Sequence, residues 1–297
     1  MELGTSTRLQ RVGNATTNSE ISVDRSEQCR QLVRGPSDGL SAISSLRQHW
    51  PEYLMEVGEL GSYVFVACVA TTLLQHPASI VRKSVSSGFA RRALMGLVMG
   101  ATAIAIVISP WGKRSGGHFN PAITFTFYRL GKVEFWDAWL YGVAQFVGAF
   151  GGVALARYVL GGALGHPAAR YAVTVPGVYG TTVAFVAELT ISFFLMIAVL
   201  FATNHKTLAP YTAYFVGLLI ALYYTFEAPL SGMSMNPART FGSALHANEW
   251  HALWIYFVAP STGMLLASEV FLRIRRGAAP YCAKLHHANN ERCIFHH

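Results

Sequence analysis

Charged residues are scarce in this 297-residue chain: Asp, Glu, Lys and Arg make up 13% of it, against about 25% in an ordinary soluble domain. Acidic residues are the rarer kind, 15 against 23 Lys and Arg, which leaves a formal charge of +8. Such a balance can mark a nucleic-acid binder. Here, however, the basic residues gather in the terminal stretches and between apolar runs, a juxtamembrane placement that argues against nucleic acid as a partner. Cysteine is sparse as well. Cys29, Cys68, Cys282 and Cys293 show neither disulfide-framework spacing nor, with the nearby His286, His287, His296 and His297, tight metal-ligand spacing. They read as reduced, incidental thiols, with no metal. Residues 1–50 lack the early apolar core of a cleavable signal peptide. No nucleophile–base pair or cofactor motif is present, so an enzyme is not indicated and no cofactor is expected.

What the chain does have is long apolar runs, with 52% of its residues hydrophobic. Six of them, at about 53–74, 92–109, 135–160, 183–202, 211–228 and 251–272, approach the roughly 20 residues that cross a lipid bilayer. Residues 1–50, rich in Ser, Thr, Arg and Asn, read as a flexible N-terminal tail. Residues 51–276 form the membrane domain, and 277–297 a second tail.

Between the second and third runs lies GGHFNPAITF (116–125), and between the fifth and sixth SGMSMNPARTFG (231–242). Asn is a strong helix N-cap and Pro suits the first helical position. Asn120-Pro121-Ala122 and Asn236-Pro237-Ala238 therefore each read as a helix start. Behind each lies only about half a bilayer's worth of apolar residues (122–129 and 238–246). Paired half-helices are tolerated at that depth only where protein buries them or they line a watery cavity. The span openings repeat too, with Glu56 in the first half and Glu188 in the second, so the repeats cover about 53–160 and 183–272. Three spans per repeat force opposite topologies, and an inverted repeat places its site near the midplane. Six spans put both termini on one side. The N-terminal arginines, Lys113, Arg114, Arg129, Lys132, Arg273, Arg275 and Arg276 share that side, which predicts cytoplasmic termini. The basic loop containing Arg82, Lys83, Arg91 and Arg92 is a local exception.

The chemistry follows from these elements. Two half-helix dipoles, each about +0.5 charge at its N-terminus, would oppose cations where they meet. The Asn120 and Asn236 amides can donate hydrogen bonds to a passing oxygen, orienting water so that a proton wire is interrupted. Arg239 is a charge inside a membrane segment, which is functional by default.

The doubled Asn-Pro-Ala, the two glutamates, Ala144-Gln145 with Gly148-Ala149, and Pro260 with Gly263 resemble the aquaporin and glycerol-facilitator (major intrinsic protein) family over about 53–276. The resemblance implies an all-α fold of six tilted membrane helices and two half-helices, in a right-handed bundle that assembles as a homotetramer in a plasma or inner membrane. It puts Arg239 at the constriction, with Met233, Tyr224 and either Met99 or Gly100 around it. It makes Glu56 and Glu188 acceptors for loop N–H groups, and His118 a loop-packing or pore-lining residue. Tyr224 stands where many water-selective members have His. Thr240, in place of the Asp of glycerol facilitators, and Tyr256-Phe257 resemble water channels. Glu59, Glu227 and Glu269 read as interfacial, and Gly148, Gly151, Gly152, Gly161 and Gly162 as sites of close helix approach. The expected function is passive passage of water, with small uncharged solutes as further substrates. The alternatives are a glycerol, urea or ammonia facilitator, an ion-coupled transporter, and a junctional scaffold.

Overall fold

A computed structural model describes residues 41–287 and 289–296. The expected flexible tail thus lies outside the described residues up to position 40. Among the described residues are eight helices of nine residues or more: α1 (Ala42–Gln75), α2 (Gly88–Ile108), α3 (Pro121–Arg129), α4 (Phe135–Leu160), α5 (Gly180–Thr203), α6 (Thr212–Phe226), α7 (Pro237–Ala247) and α8 (Ile255–Ile274). Six spans are long and apolar enough to cross a membrane, the fifth being α6 with the helical turn before it (Ala209–Phe226), and α3 and α7 are the half-length pair.

The first span starts earlier than its hydropathy suggests. Residues 42–50, read from sequence as tail, are the first turns of α1, opened by Ser41, which accepts from the Ser44 amide. They are held because His49 Nδ1 lies 2.9 Å from Asp137 Oδ1 and the Tyr53 hydroxyl donates to the same oxygen at 2.5 Å. A tertiary partner on α4 thus overrides polar local composition and the interior Pro51.

Packing is set by three close crossings that the inverted repeat relates. Helix α1 lies on α4, α5 on α8, and α2 on α6. A Cβ added to Gly148 would stand 2.4 Å from the Val57 carbonyl oxygen, and one on Gly152 2.3 Å from that of Gly61. On the other side, a Cβ on Gly263 would stand 2.3 Å from the Leu189 carbonyl oxygen. These glycines let backbones touch, as membrane helices require when no hydrophobic effect drives them together. Gly151, Gly161 and Gly162 have nothing within 4 Å of such a Cβ. For these three the close-approach reading is corrected. Trp50, Trp111, Trp136 and Trp139 lie exposed towards one end of the bundle, and Trp250 and Trp254 in the segment after α7, as interfacial anchors would.

Two of the four basic residues in the 82–92 stretch, Arg91 and Arg92 at the start of α2, have structural partners. Arg91 donates to the carbonyls of Val85 and Ser86 within its own loop, and Arg92 Nε to the Thr225 carbonyl at the C-terminal end of α6. Both are structural bonds to orphan carbonyls.

Candidate functional site

Each half-helix begins at its Asn-Pro-Ala. Asn120 Oδ1 accepts from the Ala122 amide at 2.9 Å, Asn236 Oδ1 from the Arg239 amide at 3.1 Å, and Pro121 and Pro237 take the first helical positions. The two caps are also joined to each other. Asn120 Nδ2 donates to the Met235 carbonyl at 2.8 Å, and Asn236 Nδ2 to the Phe119 carbonyl at 2.7 Å. An amide NH2 carries two hydrogens, so one N–H of each Asn is left for the cavity that both line.

Turning those carbonyls across the midplane forces Phe119 (φ 31°) and Met235 (φ 56°) to positive φ, at about 1–2 kcal/mol each for a residue with a Cβ. The two glutamates hold them there. Glu56 accepts from the amides of His118 at 3.0 Å and Phe119 at 2.7 Å, and from Gln145 Nε2 at 2.6 Å. Glu188 accepts from the amides of Ser234 at 2.7 Å and Met235 at 2.8 Å. The two loops are near-copies of one design.

A further layer of that design involves residues to which the sequence assigned other roles or none. The Tyr141 hydroxyl donates to the Ser115 carbonyl at 2.7 Å, and the Tyr256 hydroxyl to that of Ser231 at 2.5 Å. Ser115 Oγ donates to Glu59 at 2.7 Å. Ser231 Oγ has one proton for two carboxyl groups, Glu188 at 2.7 Å and Glu227 at 2.5 Å. Glu59 and Glu227 are therefore buried loop supports, and their interfacial reading is corrected. Glu269 is half-exposed and pairs with Arg129 at 2.7 Å. The signal for the tyrosines was their equivalent placement on the third and sixth spans.

Asn120 and Asn236 open on a cavity of about 30 Å³ walled by Tyr63, Ile123, Leu195, Val199, Val216 and Ile220. That is room for about two waters. Beyond it lies an outer vestibule of about 230 Å³ bordered by Arg239, Tyr224, Met95, Arg92 and Arg170. Arg239 is 3% exposed, and its Nε and Nη1 have no hydrogen-bond partner in the protein. Tyr224 borders the same vestibule, and Tyr63 lies beside both. Met233 and Met99 are buried and border neither space. Gly100 is corrected outright, since it packs on the Gly217 carbonyl of α6, which a Cβ would approach to 2.4 Å. The α2 residues bordering the vestibule are Arg92 and Met95, two turns and one turn before Met99. The 110–115 stretch between α2 and α3 coils into a short helix.

His118 is fully buried, stacked between Phe127 and Phe295 with ring centroids 5.3 Å from each. Its Nε2 donates to the Ala283 carbonyl at 2.8 Å, and its Nδ1 lies 3.1 Å from Thr124 Oγ1. It packs a loop against the C-terminal segment. Thr240 is buried too, hydrogen-bonded to Ser234 Oγ and, at 2.8 Å, to Thr174 Oγ1.

Two capped half-helices meeting end to end at an apolar-walled cavity, on an inverted repeat of six spans, define a membrane channel. The comparisons agree. A family model described as "Major intrinsic protein" matches residues 44–271, and the chain belongs to that family. It is 30% identical to aquaporin NIP2-3 of Zea mays over 278 residues, 90% of this chain and 88% of that one. It is 32% identical to nodulin-26 of Glycine max over 174 residues, 58% of this chain and 62% of that one. In structure it is similar to the aquaglyceroporin from Plasmodium falciparum, with TM-score 0.65 at 19% identity, covering 77% of this chain and 97% of that chain. The protein is a multi-pass membrane channel and not an enzyme.

Proposed function

We propose that this channel passes water readily and glycerol poorly, and excludes ions and protons at the paired Asn-Pro-Ala caps and the Arg239 constriction. The observation that carries the reading is the buried Arg239, with two nitrogens unmatched by protein, beside Tyr224 and Tyr63. A neutral oxygen passing there meets donors and a fixed positive charge, in a neck crowded by two tyrosines. Buried Met233 belongs to the loop that presents Arg239, and Met95 borders the wider space outside. The working unit is a homotetramer with a pore in each subunit, set in a plasma or inner membrane with both termini cytoplasmic. An ion-coupled transporter is disfavoured because Glu56 and Glu188 are occupied in holding loop amides. A facilitator of glycerol, urea or ammonia is the second reading. It is favoured by Tyr224 in the place of a filter His and by likeness to a protein titled an aquaglyceroporin. Stopped-flow light scattering on reconstituted vesicles separates the two. Fast shrinkage in sucrose with slow re-swelling in glycerol supports the water channel, and equal rates establish the facilitator.

A further inference from the structure

After α8 the chain turns through Arg276 and Gly277, both at positive φ, and residues 281–287 and 289–296 run back over the end of the bundle where α1 begins. Leu285 is the residue of that segment, among the described ones, that borders the central cavity. Its amide donates to the Gly116 carbonyl at 3.0 Å, and its side chain walls the cavity that holds Asn120 and Asn236. Beside it the Ala283 carbonyl accepts from His118, and the Phe295 ring lies on His118 and edge-on to Tyr141. Leu285 is 1% and Phe295 2% exposed. The return strand is tied to the body by the His296 amide on the Lys132 carbonyl at 3.1 Å and by His296 Nε2 on Glu134 at 2.8 Å. These contacts hold Leu285 in the wall of the central cavity and Phe295 against the first Asn-Pro-Ala loop.

The two ends of this loop are cysteines. Cys282 Sγ and Cys293 Sγ lie 3.7 Å apart, and neither is in a disulfide. The approach needed to reach the roughly 2.05 Å of a disulfide is about 1.7 Å, within reach of side-chain rotation and a slight shift of an irregular backbone. Between the strands, Lys284 Nζ donates to the carbonyls of Glu291 at 3.1 Å and Arg292 at 2.8 Å, which keeps the thiols facing. The Cys282 thiol is held above its ordinary value by its hydrogen bond to the Cys293 sulfur and then by burial. Its proton therefore stays on while the more exposed Cys293 meets an oxidant first.

We propose that Cys282 and Cys293 form an oxidation site whose disulfide locks the Cys282 and Cys293 arms of the C-terminal segment in the pore mouth and shuts the channel. The oxidant is a hydroperoxide. The Cys293 thiolate attacks one peroxide oxygen, the O–O bond breaks, and Cys293 becomes a sulfenic acid as the other oxygen leaves and is protonated. The Cys282 sulfur then attacks that of Cys293, the S–S bond forms, and the hydroxyl departs as water with the Cys282 proton. Two thiols are oxidised, and one hydrogen peroxide is reduced to two waters. A dithiol reverses the step. In the reduced protein the plug sits and releases. Any release that opens the Cys282–Cys293 loop is disfavoured by roughly a hundredfold once the disulfide closes it.

The inference rests on the water-channel reading, so the test uses full-length protein in vesicles and water flux by stopped-flow. Wild type reduced with dithiothreitol should conduct at least tenfold faster than after hydrogen peroxide, with recovery on re-reduction. Peptide mass spectrometry should join Cys282 to Cys293. Cys282→Ser with Cys293→Ser should conduct like the reduced wild type under both conditions. Leu285→Gly with Phe295→Gly, which unseats the plug and keeps both thiols, should conduct fast even when oxidised. Equal flux in reduced and oxidised wild type, with the disulfide verified, overturns the proposal, as does a folded, oxidised protein in which the disulfide never forms. If the unseated variant conducts no better than empty vesicles, the water-channel reading itself fails.

Discussion

Glu188 offers the sharpest test of how the pore is held open at its centre. Its carboxyl group accepts from the Ser234 and Met235 amides, and Met235 is the residue kept at positive φ so that its carbonyl can receive Asn120. In Glu188→Leu both amides lose their acceptor in a fully buried position. Each orphaned donor costs about 1–3 kcal/mol, so the pair amounts to about 2–6 kcal/mol before any relaxation of the loop. Glu188→Gln keeps the shape and one good acceptor oxygen, and should lose about half as much. Stability is read from denaturant titration of the detergent-solubilised protein, and folding yield from size exclusion. Water flux per folded channel is read in vesicles. Glu56→Leu should behave alike, because Glu56 serves the His118 and Phe119 amides in the same manner. A Glu188→Leu protein with wild-type stability and a new proton dependence of transport would refute the scaffold role and revive coupled transport.

Other expectations are more direct. Arg239→Ala removes a bulky cation from the vestibule wall and should raise glycerol flux severalfold relative to water, measured on the same vesicles. Proton exclusion should weaken without vanishing, because the half-helix caps remain. An unchanged glycerol-to-water ratio would show that the constriction lies elsewhere. Gly148→Val should destabilise the α1–α4 crossing by about 1–3 kcal/mol through overpacking. Gly151→Val, with nothing within 4 Å of its Cβ, should stay near wild type in the same denaturant titration.

Much of the fold was legible because membrane burial writes itself into composition. A span needs about 20 apolar residues, and the start of a half-helix needs a cap that a sequence displays. Asn120-Pro121 and Asn236-Pro237 thus located both half-helices to within a residue. The glutamates were legible as a repeated oddity, since a carboxylate in a span needs a partner. That loop N–H groups are the partners came from the family resemblance alone, because backbone amides carry no sequence signal. On α2 the two residues named from sequence part company: Gly100 packs on the Gly217 carbonyl, and Met99 is fully buried. That division depends on how α2 meets α6, which the sequence of α2 does not carry.

The C-terminal segment shows where such reading stops. Cys282 and Cys293 are eleven positions apart in a polar stretch, and no periodicity brings them together. They meet because a surface elsewhere in the chain selects the conformation. His118, Tyr141 and the Gly116 carbonyl form a socket that accepts Phe295, Ala283 and Leu285. Each of those residues, read alone, is an ordinary member of a tail. His118 could be read as a pore or packing residue from its position before Asn120. Only the structure gives the ring its second face, which belongs to a residue 177 positions later. A plug of this kind need not alter the pore at all. It needs only to match the rim of a mouth that the channel's own loops have already made rigid, and the acids that hold those loops also hold the socket. Glu56, through the His118 amide, therefore supports both the Asn120 cap and the seat of the plug. Loosening that loop in Glu56→Leu should release the segment as well as destabilise the pore.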